Sequence, residues 1–132
     1  MRAVLDPNVL ISALLSASRA PAEAVVRWLA GEFELVVSEA LLLELGEALV
    51  YPKLRKRVTE DEAAAFQELL RRGGAIAPDP PAGSHHAADP DDDYLLALAE
   101  AERAVLVTGD AHLLGLAAGL PILTARAFVD SL

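Results

Sequence analysis

The chain has 132 residues, enough for one domain and short of two of ordinary size. It is 54% hydrophobic, lacks cysteine and carries a formal net charge of −9. These values exclude a disulfide scaffold, a thiolate metal centre and a cysteine nucleophile, and they argue against a protein that grips nucleic acid through a broadly basic surface. Asp6, Pro7 and Asn8 interrupt the first apolar run, so it does not read as a secretory leader, and no run is long enough to span a bilayer. The expectation is one soluble, cytoplasmic domain over residues 1–132, with no membrane partner.

In chain order, 2–5 reads as a first strand, and 8–15 and 21–30 as helices, the second opened by Pro21. Residues 35–37 read as a second strand. Ser38 caps a helix to about Val50, which Tyr51-Pro52 ends. Thr59 and Glu62 form a capping box that opens a helix to Arg72, closed by Gly73-Gly74. A short strand at 75–77 and a Pro-rich loop at 78–88 follow. The remaining elements are a helix over 91–103, a strand over 104–108, a helix over 111–118, a strand over 122–124 and a final helix over 125–132. Strands and helices alternate, and the strands are apolar throughout. That pattern predicts an α/β fold: a parallel sheet of about five strands covered by helices on both faces, in three layers.

In such a sheet, ligands bind beyond the carboxyl ends of the strands. Asp6 directly follows the first strand, and Asp110 follows the strand AVLVT after Gly109, so both belong to that rim. On the 38–50 helix, Leu41, Leu45, Ala48 and Leu49 share an apolar face at 3.6-residue spacing, and Glu44 borders it. An ordinary boundary glutamate has the same signature. The segment DPDDD at 89–93 holds four carboxylates in five positions, more than a helix cap requires. Helical phase puts Asp93 at the edge of a buried face formed by Tyr94, Ala97, Leu98 and Ala101, with Asp92 as the fallback. A calcium loop beginning at Asp89 fails, because its sixth position needs glycine and holds Tyr94.

Asp6, Glu44, Asp93 and Asp110 would make an all-oxygen site suited to Mg²⁺ or Mn²⁺, and such a site supports metal-assisted phosphodiester hydrolysis. Four of the eleven basic residues fall in KLRKR, as Lys53, Arg55, Lys56 and Arg57. They read equally well as phosphate contacts and as a solvated helix end. The only asparagine, Asn8, stands two residues from Asp6, and the only glutamine is Gln67. Such depletion fits a thermophile or a codon bias.

The segments LDPNVLISALL at 5–15, VVSEALLLEL at 36–45, DPDDDYLLALAEA at 89–101, VLVTGDAHLL at 105–114 and PILTARAFV at 121–129 resemble, in order and spacing, the PIN-domain ribonucleases. The likeness is to the small bacterial proteins described as toxins of toxin–antitoxin pairs. The resemblance implies a Mg²⁺- or Mn²⁺-dependent endoribonuclease acting on single-stranded RNA, an antitoxin protein as partner, and a homodimer or higher homo-oligomer. It aligns Asp6, Glu44, Asp93 and Asp110 with the family's acidic ligands. Asn8, Thr108 and Ser38 fall on its supporting polar positions, although Ser38 is more simply a helix cap. Three positions depart from the pattern. Pro7 replaces a small polar residue, Ala88 an arginine before the DP step, and His112 an aspartate after TGD, which puts a second metal in doubt. His85 and His86 read as loop residues.

Two other functions fit parts of the sequence. An Asp6-nucleophile phosphatase with Ser38 and Lys53 on the phosphate would want a carboxylate two residues on, where Asn8 stands. A non-catalytic module binding RNA or protein would not need the acidic set.

Overall fold

A computed structural model describes residues 1–81, 93–116 and 121–132, with Asp93 described in its backbone alone. The strands are β1 (Arg2–Leu5), β2 (Glu34–Val37), β3 (Ala75–Ile76), β4 (Val105–Val107) and β5 (Ile122–Leu123). They form one all-parallel sheet in the order β3-β2-β1-β4-β5, with helices on both faces. β1 is central, pairing Ala3 with Leu35 on one side and with Val105 on the other. From β1 the chain moves first to one side and later to the other, so the switch point lies between β1 and β4. The buried valines and leucines of β1, β2 and β4 are what a sheet covered on two faces demands.

The helices are α1 (Pro7–Leu15), α2 (Ala20–Leu29), α3 (Glu39–Leu49), α4 (Pro52–Arg55), α5 (Glu60–Gly73), α6 (Asp93–Ala101), α7 (Ala111–Leu114) and α8 (Ala125–Asp130). No single helix among the described residues is long and apolar enough to cross a membrane. Local chemistry sets most starts. Asp6 caps α1 with proline in its first turn, and Ser38 Oγ accepts from Leu41 N at 3.2 Å to cap α3. The capping box of α5 forms as expected, with Glu62 N donating to Thr59 Oγ1 at 3.1 Å and Thr59 N donating to Glu62 Oε1 at 3.0 Å. Away from the rim, Phe33 meets Phe128 edge to face at 4.9 Å and fastens α8 against the start of β2.

Two expectations stand with a refinement, and two need correction. Tyr51-Pro52 does end α3, and Pro52 then opens the short α4, its fixed φ suiting a first turn. α5 does close at Gly73-Gly74, although not through a left-handed residue, since Gly74 has φ −80°. They are glycines because of crowding. A Cβ at Gly74 would lie 2.6 Å from the Leu70 carbonyl oxygen, and one at Gly73 would lie 2.9 Å from the Trp28 ring. The apolar face of α6 is wider than a single stripe: every residue from Leu95 to Ala99 is buried, whereas Ala101 is exposed. This helix packs on both β1 and β4, so helical phase alone under-read its burial. Finally, α7 is described only to Leu114 and α8 stops at Asp130, both short of their expected ends.

Candidate active site at the carboxyl rim

The parallel register of β1 and β4 pairs Leu5 with Val107, so the residues that follow these strands emerge side by side. Asp6 N donates to the Val107 carbonyl at 2.9 Å and extends the ladder by one bond. Asp6 is 3% exposed, one of three buried polar residues in the described chain, together with Ser38 and Thr108. Its two oxygens are divided between two tasks. Oδ1 accepts from Asn8 N at 2.9 Å as the cap of α1, and Oδ2 accepts from the Thr108 hydroxyl at 2.8 Å.

Thr108 ties the two acids together. Its single hydroxyl hydrogen goes to Asp6, and its oxygen accepts from Asp110 N at 3.1 Å. Asp110 in turn caps α7, its Oδ1 accepting from His112 N at 2.8 Å. No salt bridge engages Asp6 or Asp110 among the described residues. Burial pushes the Asp6 carboxyl above its ordinary range, the hydrogen bonds from Asn8 and Thr108 pull it down, and the charge of Asp110 pushes it up again.

The remaining expected residues fall as follows. Glu44 is half-buried midway along α3, as its place beside the apolar face required. Among the described residues it does not complete a cluster of three metal-ligating side chains with Asp6 and Asp110. Asp93 is the first residue of α6, and its side chain lies outside the described set, as do Asp92, Ala88, His85 and His86. Ser38 is fully buried and serves as the cap of α3, the simpler of its two readings. Asn8 is exposed, and its backbone holds Asp6.

Lys53, Arg55, Lys56 and Arg57 lie on α4 and just beyond it, with no acid in salt-bridge reach among the described residues. Arg57 reaches the Leu15 carbonyl at 3.1 Å and so caps the far end of α1. That end is roughly 13 Å along the helix axis from Asp6.

Sequence reasoning passed over one feature. A cleft of about 360 Å³ opens beside Asp110, with Ser12, Gly109 and Thr124 on its wall. Ser12 stands four residues after Asn8, which puts both on one face of α1; that spacing was the available signal.

The fold and the linked acids define an α/β domain with paired carboxylates at its carboxyl rim. The profile of the PIN domain matches residues 2–112, and the chain belongs to the PIN domain family. PIN domains are generally nucleases and typically use divalent metals. An uncharacterized protein of Methanocaldococcus jannaschii is 25% identical over 116 residues, 88% of this chain and 75% of that one. Among solved structures, PAE2754 from Pyrobaculum aerophilum superposes with a TM-score of 0.67 at 18% identity, covering 99% of this chain and 88% of its own. VapBC2 from Rickettsia felis, bound to a DNA fragment from its promoter, gives 0.63 at 16% identity over 92% and 97% of the two chains. FitAcB from Neisseria gonorrhoeae gives 0.58 at 20% over 94% and 98%. These likenesses are of fold.

Proposed function

We propose that residues 1–132 form a single metal-dependent endoribonuclease domain that cleaves single-stranded RNA in the cytoplasm, and that it is the toxin of a toxin–antitoxin pair. The observation that carries this reading is the hydrogen-bonded series Asp6–Thr108–Asp110 at the switch point of the sheet. It holds two carboxylates side by side with no neutralising cation among the described residues, an arrangement with a repulsive cost unless a cation serves it.

The donor set suits Mg²⁺ or Mn²⁺. All the groups offered are hard oxygens. Each oxygen of Asp6 accepts one hydrogen bond and so keeps a lone pair, and Asp110 commits only Oδ1 to a protein donor among the described residues. Asp6 and Asp110 would hold the ion, with Glu44 and Asp93 (or Asp92) as the further ligands. Bound there, the ion supplies a water of lowered pKa and charge neutralisation at the phosphate. The protein's own residues do the positioning. Thr108 holds the Asp6 carboxylate and the Asp110 backbone, while the backbone N–H groups of Asn8 and His112 orient the side chains of Asp6 and Asp110. Lys53, Arg55, Lys56 and Arg57 would carry the RNA backbone one helix length away, outside the repulsive field of the acids.

The fold neighbours VapBC2 and FitAcB are toxin–antitoxin complexes, which supports an antitoxin as partner; a homodimer is the matching oligomeric expectation. The phosphatase reading loses ground because the side chain of Asn8, at the position of the needed general acid, is an amide and cannot shuttle a proton.

Incubating purified protein with single-stranded RNA in Mn²⁺, Mg²⁺ or EDTA tests the reading directly. Cleavage in metal and none in EDTA is expected, and an RNA left whole under all three conditions sinks it. Neutralising Lys53, Arg55, Lys56 and Arg57 together should flatten the salt dependence of RNA binding by up to roughly 0.7 for each phosphate that no longer meets a cation. An unchanged slope returns the cluster to a solvated helix end.

A further inference from the structure

We propose that the cleft beside Asp110 is a nucleoside subsite, seating the base of the nucleotide next to the cleaved phosphate. The inference rests on the ribonuclease reading and assigns the substrate contacts of that site. The cleft's volume, about 360 Å³, lies at the lower end of ligand clefts, roughly 300–1,000 Å³, and so suits one nucleoside and not a run of them. Its floor is apolar, formed by Val9 of α1, Pro21 of α2 and Ala125 of α8. Its rim carries neutral polar groups from Asn8, Ser12 and Thr124.

Charge decides which part of an RNA enters. Among the described residues no cationic side chain lines the cleft, and Asp110 stands at its edge. The cation that Asp110 would hold serves the cleaved phosphate at the rim, and the cleft itself offers no cationic side chain among the described residues for a second one, so the moiety that fits is uncharged. A base offers flat apolar faces for Val9, Pro21 and Ala125, and donor and acceptor edges for the rim. The Asn8 amide presents both a donor and an acceptor, and Ser12 a hydroxyl. Thr124 Oγ1 accepts from Ala127 N at 3.1 Å as the cap of α8, so its own hydrogen is left to donate.

Gly109 supplies an independent indication. A Cβ built there meets no atom within 4 Å, and the residue is not in the left-handed region. Neither backbone conformation nor packing asks for glycine between Thr108 and Asp110. The space a side chain would fill is the cleft itself, so the small residue keeps the subsite open.

The test uses full-length protein in EDTA, where RNA binds without being cut, and a fluorescent single-stranded RNA pentamer read by anisotropy. Ser12→Tyr and Gly109→Val both fill the cleft, and neither replaces a core residue; circular dichroism and melting confirm that they fold. Each should weaken binding roughly tenfold, the scale of one apolar contact and one or two hydrogen bonds. A pentamer with its central base removed should bind wild type as weakly as the intact one binds Ser12→Tyr, and should lose nothing further in that variant. With Mn²⁺, Ser12→Ala should flatten the base preference at the position flanking the cut. Unchanged binding of intact and abasic RNA by both filled variants overturns the subsite, while leaving the nuclease reading standing if wild type still cuts. The expected binding pattern in a protein that never cuts supports the subsite and overturns the nuclease. A wild type that binds no RNA overturns both.

Discussion

The two ends of the sheet treat carboxylates in opposite ways. At the amino ends of the strands, Arg2 lies between Glu34 and Glu102, with contacts of 2.9 Å and 3.0 Å, so one cation serves two acids and ties β1, β2 and the chain after α6 together. At the carboxyl ends, Asp6 and Asp110 are linked through Thr108, and no described cation bridges them. The first arrangement is solvent-screened and adds little to stability, but each acid has a cation in contact. The second carries repulsion into a buried place, where the dielectric magnifies it. A fold selected for stability alone would reverse the two.

The largest effect expected from breaking this contrast is on turnover. Asp110→Asn and Asp6→Asn should each lower metal-dependent RNA cleavage by about 100-fold or more, since a metal site contributes several kcal/mol to the transition state. Asparagine still caps a helix, so the fold should survive. Undiminished turnover by Asp110→Asn would remove the pair from the chemistry.

Next comes the response to cation. Mn²⁺ at 100 times its dissociation constant should stabilise wild type by about 2.7 kcal/mol in calorimetry, and Asp110→Asn should show little of that gain. Equal responses in the two proteins would place the cation elsewhere.

Thr108→Val keeps the side chain's shape and removes its hydroxyl. It leaves Asp6 Oδ2 and Asp110 N without their partner, at a cost of about 1–3 kcal/mol in urea unfolding. Turnover should fall more than metal affinity if the hydroxyl sets the orientation of the acids. A variant as stable and active as wild type would make Thr108 a filler.

The smallest effect is a pair of opposed pH slopes. Asp6 titrates above its ordinary 3.8 in the fold, so between that value and its raised one the native state holds more proton than the unfolded chain. Metal-free stability from this group therefore falls as pH rises through that window. Glu39, hydrogen-bonded to Arg71, titrates below its ordinary 4.5, and its contribution is present above that value and lost as pH falls through its lowered one. Melting profiles in EDTA should lose the first slope in Asp6→Asn and the second in Glu39→Gln. Slopes of the same sign would contradict the contrast between rim and paired surface.

Much of this was legible in the sequence because it rests on local rules. Apolar runs, caps and alternation gave the parallel sheet, and placement after a strand found Asp6 and Asp110. The caps at Ser38 and Thr59 needed no tertiary knowledge. What escaped depends on distant contact. Gly73 and Gly74 do mark the helix stop, but why both are glycine is seen only when Trp28 and the Leu70 carbonyl are found to crowd them. The cleft is assembled from α1, α2, the turn after β4 and the start of α8, so no single window contains it. Asp93 was chosen by helical phase, and its side chain lies outside the described residues.

The seam between β1 and β4 has a consequence for how the protein comes into being. Leu5 and Val107 are register partners roughly a hundred residues apart in the chain, so joining them closes a loop of that length. Contacts of such long range are slow to form. Asp6 is synthesised 102 residues ahead of Thr108 and waits for its hydrogen-bond partner. No nascent fragment that stops before β4 can hold the linked acids, so the rim assembles only after Thr108 and Asp110 are made.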